Sequence, residues 1–288
     1  MSSKQVLSYL KYRAGSVSEH GIHSPFVFDL VTKVFKDKTR YPCYTGIEEL
    51  RKKMKRDERS IRVTDLGAGS KKLSSSERKV RDICKASEKQ KKYAQLLFRI
   101  VGHFKPGVIF DLGTSLGLTT LYLSEGNPEG NVITIEGCPE TAAVANENFE
   151  CYGVKNIQQV IGNFDDVLKH ELDHNCQSRG STRDGELASP LQAANLSTGA
   201  LAKVDSKLFF FDGNHRKEPT LRYFEQCMKY ANNDSIFIFD DIHWSKEMEE
   251  AWTVLKKDPR VTVTIDLFEM GIVFLRNEQA KEHFSIRF

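Results

Sequence analysis

The residues able to do chemistry fall at regular intervals, each just after an apolar run. Asp111 closes Val108-Ile-Phe and opens the pattern D-x-G-x-x-x-G with Gly113 and Gly117. Glu136 closes Asn131-Val-Ile-Thr-Ile, twenty-three residues beyond Gly113. Asn163, Phe164 and Asp165 follow Ile157-Gln-Gln-Val-Ile161. Asp212-Gly-Asn-His215-Arg-Lys217 follows Lys207-Leu-Phe-Phe-Phe211, and Asp240-Asp241-Ile-His243-Trp244 follows Ser235-Ile-Phe-Ile-Phe239. An acid two residues before the first glycine repels a pyrophosphate and suits a cationic ligand. A carboxylate at Glu136 can accept both hydroxyls of a ribose, or it can serve only as a helix-start acid stabilised by the dipole. Phe164 can pack on a purine ring while Asn163 and Asp165 reach its amino group; simple core packing would also account for Phe164.

The elements that must position these groups follow from the patterning. Each short apolar run reads as a buried parallel strand, and each is followed by a turn and an amphipathic run. Gly113 supplies a φ that other residues resist, and Gly117 lets a ligand or strand lie close to the helix that follows. Free N–H groups at that helix start favour electron-rich ligand atoms. In an open α/β sheet the ligand lies at the carboxyl ends of the strands, where all these polar residues fall. Helices are expected from Gly117 to about Ser124, over Pro139–Tyr152, from Pro219 to about Tyr230 and over Lys246–Lys257. Val261–Phe268 and Gly271–Arg276 read as final strands close enough to form an antiparallel hairpin.

The chain divides into an N-terminal helical cap, residues 1–89, and an α/β domain, residues 90–288. In the cap, Gln5–Arg13 reads as a helix, and Ser24 and Pro25 as the N-cap and first turn of a second one running to Phe35. His20 and His23 have no third ligand nearby, so capping and loop packing explain them better than a metal. Asp65-Leu-Gly67-Ala-Gly69 imitates a cofactor loop, but no strand with a terminal acid follows. It reads as a loop before helices over Glu77–Lys85, N-capped by Ser76, and over Glu88–His103. Residues 174–203, rich in Gly, Ser and Thr, read as a flexible insertion.

With 288 residues and 40% hydrophobic content the chain can build a substantial core. A net charge of +3 is too small to argue for nucleic acid. The basic clusters Lys52, Lys53, Lys55, Arg56 and Lys89, Lys91, Lys92 read as solvated helix faces. No run has the apolar length of a membrane span, and the N-terminus has no signal-peptide core. Six scattered cysteines without C-x-x-C argue against zinc or a disulfide framework and for a reducing cytoplasm.

The glycine loop resembles the first motif of class I S-adenosylmethionine-dependent methyltransferases. The order of glycine loop, ribose acid, adenine strand and two acid-ending strands extends the resemblance over about residues 90–276. It implies a Rossmann-like, seven-stranded, mostly parallel sheet with a C-terminal antiparallel hairpin, the N-terminal helical cap being an addition. It places S-adenosyl-L-methionine against Asp111, Gly113, Thr114, Ser115 and Gly117, with Glu136 and Gly137 at the ribose and Asn163 and Phe164 at the adenine. Within the class, the Asp212 and Asp240–Asp241 strand ends look like those of small-molecule O-methyltransferases related to the catechol and caffeoyl-CoA enzymes. That likeness implies a divalent cation such as Mg²⁺ on Asp212, Asp240 and Asp241, although Asp241 stands where the family has Asn; Asp212 could instead hold the methionyl amine. The family's lysine base falls at His215, which can take a proton near neutral pH. A helix-start histidine bonded to backbone is the plain alternative, and Lys217 and His243 are the other base candidates. Trp244, Phe26 and Phe28 could line an apolar acceptor pocket or simply pack. The expected partner is a small-molecule acceptor, with neither nucleic acid nor membrane, and a homodimer is left open. Two rivals stay open: a non-catalytic cofactor-binding module, and a nucleotide-dependent oxidoreductase, against which the missing third glycine argues.

Overall fold

Strands whose residues are apolar on both sides must be covered on both sides, and the central sheet is built that way. The computed structural model describes residues 3–64, 76–87, 89–177 and 206–288. Ten strands lie within these residues: β1 (Ser60–Arg62), β2 (Glu77–Lys79), β3 (Val108–Leu112), β4 (Asn131–Glu136), β5 (Ile157–Ile161), β6 (Lys207–Phe211), β7 (Ile236–Asp240), β8 (Val263–Asp266), β9 (Met270–Phe274) and β10 (Glu282–Ser285). The large sheet has the order β10-β8-β9-β7-β6-β3-β4-β5. Strand β9 runs antiparallel to both neighbours, and the other pairings are parallel. The order turns outward on either side of β3 and β6, so the polar loops after these two strands face a shared crevice.

Alternation along each strand divides the apolar residues between two layers. Ile109, Leu208, Phe210, Ile236 and Ile238 face a layer made by α2 (Pro25–Leu30), the π-helical turn Val31–Phe35 and α5 (Lys91–Phe104). Phe110, Phe209, Phe211, Phe237 and Phe239 face α8 (Phe164–Gln177), α9 (Lys217–Met228) and α10 (Lys246–Lys257). On that second face the phenylalanines stack across strands, with ring centroids 5.5 Å apart for Phe110–Phe209, 4.8 Å for Phe209–Phe237 and 4.6 Å for Phe211–Phe239. A third cluster joins α3 (Pro42–Met54), α4 (Val80–Ser87), α6 (Leu118–Gly126) and α7 (Pro139–Tyr152) at the sheet's flank. The N-terminal segment therefore supplies one of the sheet's two covering layers.

Two details differ from the sequence reading. The sheet has an eighth strand, β10, paired in parallel with β8. Its four residues, Glu282–Ser285, are too short and too mixed to announce a strand without their partner. Residues 77–79 are a strand rather than the start of a helix: β2 pairs antiparallel with β1, the Val63 amide donates to the Ser76 carbonyl at 2.6 Å, and α4 begins only at Val80. A long-range backbone partner here outweighs the local N-cap signal at Ser76. Of the two readings left open for Phe26, packing is the one seen: the ring is partly buried against the core, edge-on to Phe274 at 5.0 Å. The N-capped start of α2 is as expected, with the Ser24 hydroxyl accepting from the Val27 amide. The Asp65–Gly69 loop and residues 178–203 of the insertion lie outside the described residues.

The chain ends meet at β10. Val17 forms a parallel bridge to Ile286, and the Tyr12 hydroxyl on α1 (Ser3–Gly15) donates to the Ile286 carbonyl. Among the described residues no helix is long and apolar enough to cross a membrane.

Candidate active site

Strand β3 carries Asp111 to the carboxyl edge with no exposure at all. Its Oδ2 accepts hydrogen bonds from the hydroxyls of Thr120 (2.6 Å) and Thr134 (2.8 Å), while Oδ1 is buried without a partner among the described residues. Burial pushes its pKa up to about 7; the two threonine hydroxyls oppose this, and the charges of Asp212 and Glu136 add to it. The Thr114 hydroxyl shares a 2.6 Å hydrogen bond with Thr134, so its side chain braces the loop from within. Gly113 has φ +122°, and a Cβ there would press into the Asp212 carbonyl oxygen. The loop after β3 is thus laid directly on the loop after β6, and only glycine permits it. Gly117, with φ +83°, caps α6; a Cβ there would stand 2.5 Å from the Phe149 ring of α7. Its closeness serves helix packing.

Glu136 is held at the end of β4 by backbone. The Ser115 amide donates to Oε2 and the Cys138 amide to Oε1, each at 2.9 Å. The glycine loop and the β4–α7 turn, which contains Gly137, therefore converge on one carboxylate. At the end of β5 the Asn163 side chain accepts from the Asp165 amide at 3.2 Å and starts α8. The Phe164 ring meets Tyr223 edge-on at 5.6 Å and lies against Gly213 of the β6 loop. Two N-terminal elements reach this region: the Ser87 and Ser115 hydroxyls are 3.1 Å apart, and the Thr64 amide donates to Cys138 Sγ at 3.4 Å.

The ends of β6 and β7 bring Asp212, His215, Asp240 and Asp241 together. One ligand atom from each of Asp212, His215 and Asp240 lies within 4.8 Å of the others. His215 Nε2 is 3.9 Å from Asp212 Oδ1 and 4.0 Å from Asp241 Oδ2. Burial raises the Asp212 pKa, against the opposing charge of Lys89. Asn214 and Asp241 both sit in the left-handed backbone region, at φ 50° and 54°, which aims the two loops. The ammonium of Lys89 lies between the acids, bonded to Asp240 Oδ2 and 3.8 Å from Asp212 Oδ2. Lys89 was expected on a solvated face, yet its side chain is only 9% exposed. Nothing local marks it, because its partner Asp240 is 151 residues away.

The other candidates lie outside this cluster. Lys217 pairs with Glu250 of α10 at 2.8 Å. His243 bonds Asp266 at 2.9 Å and Glu249 at 3.3 Å and stacks on Phe268. Burial works against its charge, but the two carboxylates outweigh that and raise its pKa. The Trp244 carbonyl accepts from the Gln5 side chain of α1 at 3.3 Å. Phe28 is exposed on α2.

The crevice so built lies at the carboxyl ends of the parallel strands, and comparison with known proteins shows what the chain is similar to. Residues 110–242 match a family model described as a methyltransferase domain. The chain is 32% identical over 77 residues to the transmembrane O-methyltransferase of Homo sapiens, a match covering 26% of each chain. The chain thus spans about a quarter of the length of the curated relatives it matches. Among solved structures, a Podospora anserina methyltransferase bound to S-adenosylhomocysteine shares the fold at TM-score 0.53 and 13% identity, over 89% of this chain and 98% of that one. An O-methyltransferase from Bacillus cereus in complex with S-adenosylhomocysteine gives TM-score 0.50 at 14% identity, over 91% and 99%.

Proposed function

We propose that the protein transfers a methyl group from S-adenosyl-L-methionine to a hydroxyl oxygen of a small-molecule acceptor. The observation that carries this reading is the convergence, at one sheet edge, of the Glu136-anchored glycine loop with the polar cluster at Asp212, His215 and Asp240. The first part suits the cofactor: Glu136 offers a carboxylate to ribose hydroxyls, and Asn163 and Phe164, at the end of the neighbouring strand β5, offer an amide and a ring to an adenine. The second part suits an acceptor hydroxyl. In the reaction the acceptor oxygen forms the new C–O bond as the methyl–sulfur bond breaks, and that pair stays on sulfur as S-adenosylhomocysteine. The hydroxyl proton leaves to a base, a role this reading gives to His215, whose Nε2 lies 3.9 Å from Asp212 Oδ1. Most of the rate then comes from in-line alignment of oxygen, methyl and sulfur.

A divalent cation on Asp212, Asp240 and Asp241 does not fit this arrangement as it stands. An ammonium already holds the position between Asp212 and Asp240, so no step is routed through a metal. The six free thiols agree with a reducing, cytoplasmic setting.

Calorimetric titration with S-adenosylhomocysteine, with NAD in parallel, tests the cofactor assignment. Binding of the former alone is expected, and binding of NAD alone would transfer the site to an oxidoreductase. Glu136→Ala should weaken that binding by about 1.5–3 kcal/mol, the size of a lost charged hydrogen bond. Unchanged affinity in this variant would remove the ribose assignment.

A further inference from the structure

Beyond the cofactor crevice, we infer that Lys89 is the resident cation of the acceptor site, standing where related folds would be expected to hold a divalent metal. The part of this inference that concerns acceptor orientation rests on the methyltransferase reading; the occupancy of the site by Lys89 does not. A buried carboxylate, Asp240, beside a partly buried one, Asp212, at a sheet edge needs a countercharge, since unpaired burial is costly. Asp240 is 2% exposed and Lys89 9% at the side chain, so this pair is shut off from water. The ammonium bonds Asp240 Oδ2 and approaches Asp212 Oδ2. Asp240 Oδ1 has no partner among the described residues, which leaves one acceptor in the cluster unspent. A hard divalent ion takes its oxygen ligands at about 2.0–2.6 Å and would need these same oxygens. Ammonium and metal therefore cannot share the position.

An ammonium differs from a metal in what it offers an incoming hydroxyl. It has three donors; one bonds Asp240, and Asp212 at 3.8 Å is an ion-pair partner beyond hydrogen-bond distance, so donor capacity remains for an acceptor oxygen. It gives that oxygen one positive charge and one direction, and the attacking oxygen keeps a lone pair for the methyl carbon. The lysine comes from the segment just before α5, an element of the N-terminal layer, so that layer contributes a side chain to the site as well as cover.

Mn²⁺ titration of the full chain, read by calorimetry and by the electron paramagnetic resonance of free Mn²⁺, tests the inference without needing cofactor or acceptor. The wild type and Lys89→Arg are expected to bind no Mn²⁺ at millimolar concentrations. Lys89→Ala should gain one site, with a Mn²⁺-dependent rise in melting temperature, and Lys89→Ala combined with Asp240→Asn should lose it again. Mn²⁺ binding by the wild type that disappears in Asp240→Asn would overturn the inference, as would a folded Lys89→Ala that takes up no Mn²⁺. Circular dichroism melting establishes that each variant is folded. Failure here leaves the S-adenosylhomocysteine titration untouched, so the two conclusions fall separately.

Discussion

Asp111 illustrates how a single residue can be recognised in sequence for one reason and held in the structure for another. Its place at a strand end before a glycine turn marked it as a ligand-facing acid. In the folded chain it is wholly buried and braced by Thr120 and Thr134, and it serves as the floor of the loop. Its folded pKa of about 7 lies above the 3.8 of a free side chain, so between these values the folded state binds the proton more tightly. Stability contributed by this group is full below about pH 4 and declines as pH rises through about 7. A shift of this size corresponds to about 4 kcal/mol. Asp111→Asn, neutral throughout, should remove that slope: its denaturant stability should gain on the wild type between pH 5 and pH 8. Parallel pH profiles for the two proteins would show that Asp111 stays ionised in the fold.

At the scale of elements, the site depends on two loops laid one on the other and on a helix clamped across the sheet edge. Gly113 touches the backbone of Asp212, so Gly113→Ala combines a steric conflict with an unfavourable φ. It should cost about 3 kcal/mol in unfolding free energy and lower the affinity for S-adenosylhomocysteine. A cofactor affinity that survives intact would mean that the two loops need not touch. The clamp is made where His243 and Ser8 of α1 both bond Glu249 of α10. Because Asp266 and Glu249 raise the His243 pKa despite its burial, its contribution is fully present below the ordinary histidine value and lost as pH rises through the folded one. His243→Gln should therefore cost more stability near pH 6 than near pH 9. Equal cost at both would show that His243 is neutral in the clamp.

For the whole molecule, the two chain ends are part of the same sheet that carries the site. Strand β10 covers the edge of β8, and Val17 pairs with Ile286 beside it. Removing residues 277–288 would uncover a buried edge strand and detach the Tyr12 hydroxyl from its carbonyl. The truncated protein should melt lower and associate with rising concentration in sedimentation velocity. A truncation that sediments as the full chain does, with an unchanged melting temperature, would make β10 an ornament of the fold.

The sequence by itself determined the alternating strands and helices, the hairpin and the strand-end positions of Asp111, Glu136, Asp212 and Asp240. Each of these is written locally, in an apolar run with a glycine or acid at its end. It also marked His215, beside Asp212, as a candidate base, with Lys217 and His243 as alternatives. Only the tertiary structure decided what those residues touch. Lys89 enters the acid cluster from a segment far away in the chain, Lys217 is drawn off by Glu250, and the short strands β1, β2 and β10 exist through partners remote in sequence. Period and turn chemistry are properties of neighbours along the chain. Charge pairing at a buried edge depends on which segments the packed core brings there, and local pattern carries no record of that.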